Sequence, residues 1–387
     1  MKKWPIVALA DLIDPSGSVG GAGPDLPVYS VTKHSGFVPS LEYFKKQVFS
    51  KDISKYKVVE KGEFAYATIH LDEGSVGVAP ERALISPMYT VFKIDPNQVD
   101  SRYLLAFLKS QRALHFYALV GQGAVHRRKS ISLKALGHLE VPLPPLDEQH
   151  RIAAILDRSA RHLSATSHSS QLITILQRQS FTKLFGSPSS WADRWPMTKV
   201  GDVVASTQYG TSEKSSTFGP TPVLRMGNLT VDGRLDLGDL KYMTVAEKNR
   251  SKHTVQRGDI LFNRTNSPDL VGKTAVVRTD DEYAYAGYLI RVRVSEDADP
   301  EFVAGYLNSE YGKILLRSMC KSIVGQANIN AEELRSIPIA VPPRDLQSKF
   351  ATLVTKAEEE RARIEERGQA LKSLQASLQS RAFRGEL

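Results

Sequence analysis

The chain has 387 residues, 41% of them hydrophobic, enough to bury more than one core and to predict two domains with connecting elements. No apolar run approaches the ~20 residues that span a bilayer, and the one cysteine, Cys320, excludes an internal disulfide and a cysteine-rich metal site, so a cytoplasmic protein is expected. The formal net charge of +9 favours a polyanionic partner, of which nucleic acid is the usual one.

The N-terminus, Met1-Lys2-Lys3-Trp4-Pro5, is followed by an apolar run, Ile6 to Ala10, too short for a signal segment and cut by Asp11. Residues 1 to about 28 carry loop chemistry, Asp14-Pro15-Ser16-Gly17-Ser18 and Gly20-Gly21-Ala22-Gly23-Pro24. Val28 to Thr32, Phe64 to Ile69 and Ser86 to Ile94 read as strands, with a lysine-rich stretch from Leu41 to Lys61 between the first two. Tyr103, Leu104, Phe107, Leu108, Leu114 and Tyr117 predict one helix over about Ser101 to Leu119. The turn Val120-Gly121-Gln122-Gly123, the cluster His126-Arg127-Arg128-Lys129 and a short helix near Ser132 to Leu136 complete the unit.

Leu143-Pro144-Pro145-Leu146-Asp147-Glu148-Gln149 opens a long helix to about Phe185. Asp147 and Glu148 complement the positive end of its dipole. Ile152, Ile155, Leu156 and Leu163 mark its apolar face, and Ile173, Ile175, Leu176, Leu184 and Phe185 resume it. The intervening Ser164 to Ser170 is polar and a poor helix former: a weak point, a slight kink or a contact for another subunit.

The pattern then restarts. Trp195-Pro196 echoes Trp4-Pro5, and strands are predicted at Val223 to Met226, Ile260 to Phe262, Thr274 to Val277 and Leu289 to Val294. A helix follows over about Pro300 to Met319, then a turn at Ile323 to Asn328, a short helix from Ala331 to Leu334, and Val341-Pro342-Pro343. From there a second long helix is predicted to run to the C-terminus. Phe350, Ala357, Ile364, Leu371 and Leu378 recur every seven residues, with Leu353, Val354 and Leu374 beside that seam. Gly368 inside it costs about 1 kcal/mol relative to Ala and marks a close approach or a bend. The order is globular unit, long helix, globular unit, long helix: one frame used twice with different loops.

The residues of an enzyme are missing. Val271-Gly272-Lys273-Thr274 resembles the end of a phosphate-binding loop, but Ser267 stands where its first Gly belongs. Neither an Asn-Pro-Pro-aromatic nor an Asp-Pro-Pro-aromatic tetrapeptide occurs, so the grip on a flipped adenine is absent. Pro268-Asp269 has no acidic-x-Lys triplet at nuclease spacing, and the nine histidines lack zinc spacing. Cys320 reads as a small buried hydrophobe rather than a nucleophile.

Pro142-Leu143-Pro144-Pro145-Leu146-Asp147-Glu148-Gln149 with Arg151 to Asp157, and the looser copy Val341-Pro342-Pro343-Arg344-Asp345-Leu346-Gln347, resemble the helices of the specificity subunits of type I restriction-modification systems. Leu224 to Leu229, Gly258 to Arg264 and Tyr306-Leu307-Asn308-Ser309 are similar to that family's second globular unit. The first unit keeps Gly62 to Tyr66, Tyr103-Leu104-Leu105 and the Gly121-Gln122 turn. The resemblance implies an α+β fold. Two tandem α/β target recognition domains, residues 1–145 and 188–343, are separated by long helices at 146–187 and 344–387. The helices pack as an antiparallel coiled coil in an internal pseudo-twofold repeat. It also implies a DNA-binding, non-catalytic subunit of a phage-defence complex. Its partners are double-stranded DNA with a bipartite site, two modification subunits that methylate adenine N6, and two restriction subunits. S-adenosylmethionine, ATP and Mg are implied for those partners and no cofactor for this chain. The alternative, a self-sufficient single-chain methyltransferase–nuclease, is disfavoured by the missing tetrapeptide.

A helix of about 40 residues is ~60 Å long at ~1.5 Å per residue, and half-sites one DNA turn apart are separated by ~34 Å. The helices are therefore expected to set the spacer. Loop side chains beside strands are expected to read bases, Arg pairing with guanine and Asn or Gln with adenine. In the second unit these are Tyr209, Thr211, Lys214, Arg225, Asn228, Asn263, Arg264, Asn266, Lys273, Gln326 and Asn328. In the first they are Lys33, His34, His70, Gln122, His126, Arg127, Arg128 and Lys129, with Lys45, Lys46 and the lysines up to Lys61 on phosphates. Ile152, Leu156, Leu163, Phe350, Ala357, Ile364, Leu371 and Leu378 are expected to form the helix seam.

Overall fold

A computed structural model describes residues 4–19, 26–44, 47, 49–50, 52–121, 130–267, 270–319, 321–323 and 326–387, with the side chains of 19, 266, 321–323, 326 and 327 outside the description. The chain forms two compact units, Met1–Thr166 with Glu366–Leu387, and Ser167–Glu365. The expected divisions at 145, 187 and 343 fall near the ends of the long helices, whereas the units divide inside both helices. Packing explains this, because each helix half buries its apolar face in a different core. Ile152, Leu156, Ala382 and Phe383 belong to the first core, and Phe181, Phe185, Phe350 and Val354 to the second.

In the first unit, four antiparallel strands run in the order Ile13–Ser16, Tyr89–Ile94, Phe64–Ala67, Val76–Val78. A second sheet orders Ser18–Val19, Lys57–Val59, Ala83–Ile85, Val28–Thr32 and Gly36–Pro39, with one parallel pair. The stretch before residue 28, expected as loop, thus supplies strands. Its few β-branched residues gain their partners from distant strands, which local propensity does not register. The helix expected over Ser101 to Leu119 is two, Ser101–Leu108 and Gln111–Val120. Ser110 breaks it by capping the second with its hydroxyl on the Ala113 N–H at 3.3 Å.

The second unit repeats the plan: Val204–Tyr209, Leu289–Val294, Ile260–Asn263, Thr274–Val276 in one sheet. Another holds Lys241–Met243, Thr221–Leu224, Tyr283–Tyr285 and Thr254–Val255, again with one parallel pair. The expected helix from Pro300 is also split, into Pro300–Asn308 and Glu310–Met319, where the Ser309 hydroxyl accepts from Gly312 N at 3.0 Å.

The repeat extends to single hydrogen bonds. Gln149, buried, donates to Gln98 O and Pro144 O at 3.0 and 2.8 Å and accepts from Asp100 N at 2.9 Å. Gln347, also buried, donates to Asp297 O and Pro342 O at 3.3 and 2.8 Å and accepts from Asp299 N at 2.8 Å. Each glutamine ties a long helix to the N-cap aspartate of the first helix of its unit's split pair, Asp100 or Asp299. Counted from those caps, Tyr103 matches Phe302, and Phe107 matches Tyr306. The wording shared by Tyr103-Leu104 and Tyr306-Leu307 is therefore one turn out of register.

The first long helix is continuous from Leu146 to Phe185, through the polar Ser164 to Ser170. The second spans Arg344–Ala382 and stops short of the C-terminus, because Gly385 takes a left-handed φ of 75° and Phe383 and Leu387 turn into the first core. Phe383 meets Tyr103 and Phe107 edge-on at 5.6 and 5.0 Å between ring centroids. In the second unit Phe185, at the matching helical position, packs on Phe302 and Phe350 at 4.8 and 5.7 Å. Full burial of one such ring is worth ~1.5–3 kcal/mol.

Ile152, Leu156 and Phe350 are buried, while Leu163, Ala357, Ile364, Leu371 and Leu378 are half-buried. The second stripe of the C-terminal helix lies four residues beyond the first, at Val354, Arg361, Gly368, Gln375 and Ala382. Leu353 and Leu374, expected beside the seam, are 45% and 50% exposed. Gly368 is buried, yet a Cβ there would meet Thr166 Oγ1 at 3.6 Å, an ordinary van der Waals contact, so the packing does not require a glycine. In the second unit, the buried Arg361 donates to Ser170 O and Oγ, Thr174 Oγ1 and Gln177 Oε1 at 2.9 to 3.2 Å. The end of the polar segment is thus matched by an arginine on the opposing helix.

Candidate nucleic-acid interface

Recognition of a polyanion with a sequence requires side chains that leave the fold with unspent donors and acceptors. The second unit sorts the expected residues by this test. Asn228 is buried, accepting from Arg225 N at 2.9 Å and donating to Asp236 O and Asp239 O at 2.8 and 3.0 Å. Asn263 is fully buried in its strand and donates to Leu270 O at 3.3 Å. Lys273 is buried with its ammonium on Met226 O at 2.8 Å and on Leu229 O, and burial pushes its pKa down. Thr211 is buried, its hydroxyl accepting from Glu213 N. These four expected base readers are turned to the fold: Asn228, Lys273 and Thr211 have partners inside it, and Asn263 spends its amide nitrogen there while its Oδ1 is buried without a hydrogen-bond partner among the described residues. Arg225 is half-buried and tied to Asp239 Oδ2 and O, both at 2.9 Å.

The remainder stand at one edge or on one loop. Tyr209 ends its strand 37% exposed, with the Arg264 guanidinium over its ring at 4.9 Å and its hydroxyl accepting from Ala331 N at 2.9 Å. Arg264 follows the strand Ile260–Asn263, and its N–H donates to Tyr288 O at 3.1 Å. Tyr288 is 54% exposed. Asn328, exposed, accepts from Thr265 Oγ1 at 2.9 Å across the pairing of Thr265–Asn266 with Gln326–Asn328. The side chains of Asn266 and Gln326 lie outside the description. Lys214 is exposed on the loop that carries Phe218, itself 86% exposed. That loop is fixed by reciprocal backbone bonds between Ser216 and Tyr242 at 2.8 and 2.9 Å. Tyr288, Thr265 and Phe218 escaped the sequence reading; the Gly287-Tyr288 turn and the Phe218-Gly219-Pro220 loop are the signals that pointed to them.

In the first unit Lys33 Nζ and His70 Nδ1 converge on Glu73, at 3.9 and 3.5 Å. His34 is exposed in the Thr32–Gly36 turn. Lys57, expected on phosphate, is half-buried and donates to Tyr89 O at 2.7 Å, with its pKa lowered by burial. Lys55 and Lys61 are exposed. Lys45, Lys46, Gln122, His126, Arg127, Arg128 and Lys129 lie outside the described residues. Among the described residues there is no cluster of three metal-ligating side chains, and no helix is long and apolar enough to cross a membrane.

The comparisons with known proteins bear on the whole chain. A family model described as the type I restriction modification DNA specificity domain matches residues 2–174 and 192–372. The type I restriction enzyme EcoKI specificity subunit of Escherichia coli strain K12 is 25% identical over 303 residues, 70% of this chain. The match spans 65% of that relative's length, just under two thirds. The crystal structure of the type I restriction-modification S subunit from M. genitalium has a TM-score of 0.57 at 14% identity, covering 98% of this chain and 96% of that one. A chain solved in work on complex assembly and conformational transition of the type I R-M system has a TM-score of 0.58 at 15% identity, covering 100% of this chain and 99% of that one. At these identities the two structures speak to the fold, which they share.

Proposed function

The chain belongs to the type I restriction modification DNA specificity family, and we propose that each of its two units reads one half of a bipartite DNA site. The observation that carries this reading is the duplicated frame. The same glutamine bonds, the same strand order in the four-stranded antiparallel sheet and the same split helices recur, while the exposed loop side chains differ. A frame kept constant beneath different donors and acceptors is suited to reading two different base sequences.

The long helices set the gap between the half-sites in this proposal, and the bases in the gap are not read. They also dock the modification subunits, joined by restriction subunits. Leu172, Ile175 and Leu176 support the docking. Two of these, Ile175 and Leu176, were expected on the seam, yet all three are exposed at 50, 48 and 58%, with the spacing of one helical stripe. The chain itself performs no catalysis; S-adenosylmethionine, ATP and Mg are the requirements of its partners.

The test is to exchange residues 188–343 for the same region of a relative and map methylated adenines on DNA treated with the assembled complex. One half-site changes and the other is retained. A change in both halves would refute modular reading.

A further inference from the structure

The hydrogen-bond register matches the two units residue by residue. Gly258 N donates to Val277 O and Val277 N to Asp259 O; Gly62 N donates to Ala79 O and Ala79 N to Glu63 O. That match pairs Phe262 with Tyr66 and Arg264 with Thr68. The next bond agrees: Ile329 N donates to Arg264 O and Ile131 N to Thr68 O, both at 2.9 Å. Across the sheet, Phe262 faces Ile290 and Ile290 faces Tyr209. In the first unit Tyr66 faces Thr90, and because Ser16 faces Val91, the residue matching Tyr209 is Gly17. The Tyr209–Arg264 stack therefore has Gly17 and Thr68 as its counterpart. Gly17 has φ +86°, and a Cβ there would lie 2.8 Å from Val91 Cβ, so no ring fits. Thr68 donates its hydroxyl to Met88 O at 3.3 Å.

Arg264 is held by its backbone on both sides and by the ring beneath it. Its guanidinium has no ion pair or hydrogen bond among the described residues, and Nε is buried without a partner. Arg225, Arg257, Arg278 and Arg293 of the same unit are each closed by a carboxylate.

We infer that Arg264, laid on the Tyr209 ring, reads a guanine in the half-site of the second unit, and that the first unit has no such contact at its matching position. This rests on the DNA-recognition reading above. Guanine presents O6 and N7 to a planar fork in the major groove, and a fork held in advance loses little freedom on pairing. A flexible lysine serves a phosphate as well, so the constraint on Arg264 is of use mainly for a base edge. Tyr209 is a positioning residue.

The full chain, assembled with modification subunits, is given a pool of randomised DNA, and methylated adenines are mapped by sequencing. Arg264→Ala and Arg264→Lys make one guanine position of the second half-site degenerate, with discrimination there falling about tenfold or more. The first half-site is unchanged. The lysine variant keeps the charge and the bulk, so it carries the test if the alanine variant folds poorly. Tyr209→Leu weakens the same position, whereas Tyr209→Phe, which keeps the ring, does not. The inference is overturned if both arginine variants keep the motif while methylation falls alike on every sequence, the signature of a phosphate contact. A wild-type assembly that shows no split motif refutes the recognition reading itself.

Discussion

Lys313 shows how the second unit treats a charge it has taken inside. Its ammonium donates to Gly272 O and Asn308 Oδ1 at 2.6 and 2.9 Å. Burial, with the neighbouring charges of Arg178, Lys273 and Arg317, pushes its pKa down to about 8. Because the folded value lies below the ordinary 10.5, the unfolded chain holds a proton in that interval that the folded chain has released. Lys313 therefore destabilises the fold below about pH 8, and stability rises with pH from there to about 10.5. Thermal midpoints at the two ends of that window should rise less in Lys313→Met than in the wild type; equal slopes would contradict the assignment. The difference isolates Lys313 from the other lysines. The same scale explains which site residues were legible. An asparagine or lysine offers the same donors to a base as to a backbone carbonyl, so residue type alone cannot separate Asn228, Asn263 and Lys273 from Arg264. Separation comes from burial and from Tyr209, a residue distant in sequence.

Among elements, the long helices were the easiest to read and the easiest to misread. The seven-residue recurrence of Phe350, Ala357, Ile364, Leu371 and Leu378 identifies the seam, because apolar residues advertise burial. The companion stripe holds Arg361, Gly368 and Gln375, which do not, so the exposed Leu353 and Leu374 drew attention instead. The polar segment of the first helix likewise reads as a weakness until its end is met by Arg361. Arg361→Ala leaves Thr174 and Gln177 without this donor and removes a buried packed chain. The cost is about 3 kcal/mol. It should appear as faster amide exchange along 170–177 and 358–365 at native conditions. Unchanged protection there would show that the arginine is only tolerated and the helices hold by other means.

For the whole molecule, the twofold repeat was legible because its marks are consecutive in sequence, the paired prolines and the glutamine that follows them. Their physical role was not: Gln149 and Gln347 fasten each helix to an aspartate cap some fifty residues earlier. The strands before residue 28 were missed for a related reason, since their partners, at 140–142 and 91–94, are remote in sequence. A duplicated frame without catalytic motifs leads to one central claim, that this chain confers a split specificity on chemistry performed by others. The direct measurement is to treat DNA with methyl donor and either the purified chain alone or the chain with modification subunits, and to map every methylated adenine. The account predicts no methylation by the chain alone, and with partners a two-part motif with a fixed, unread gap. Methylation by the chain alone, or an uninterrupted motif, would contradict it.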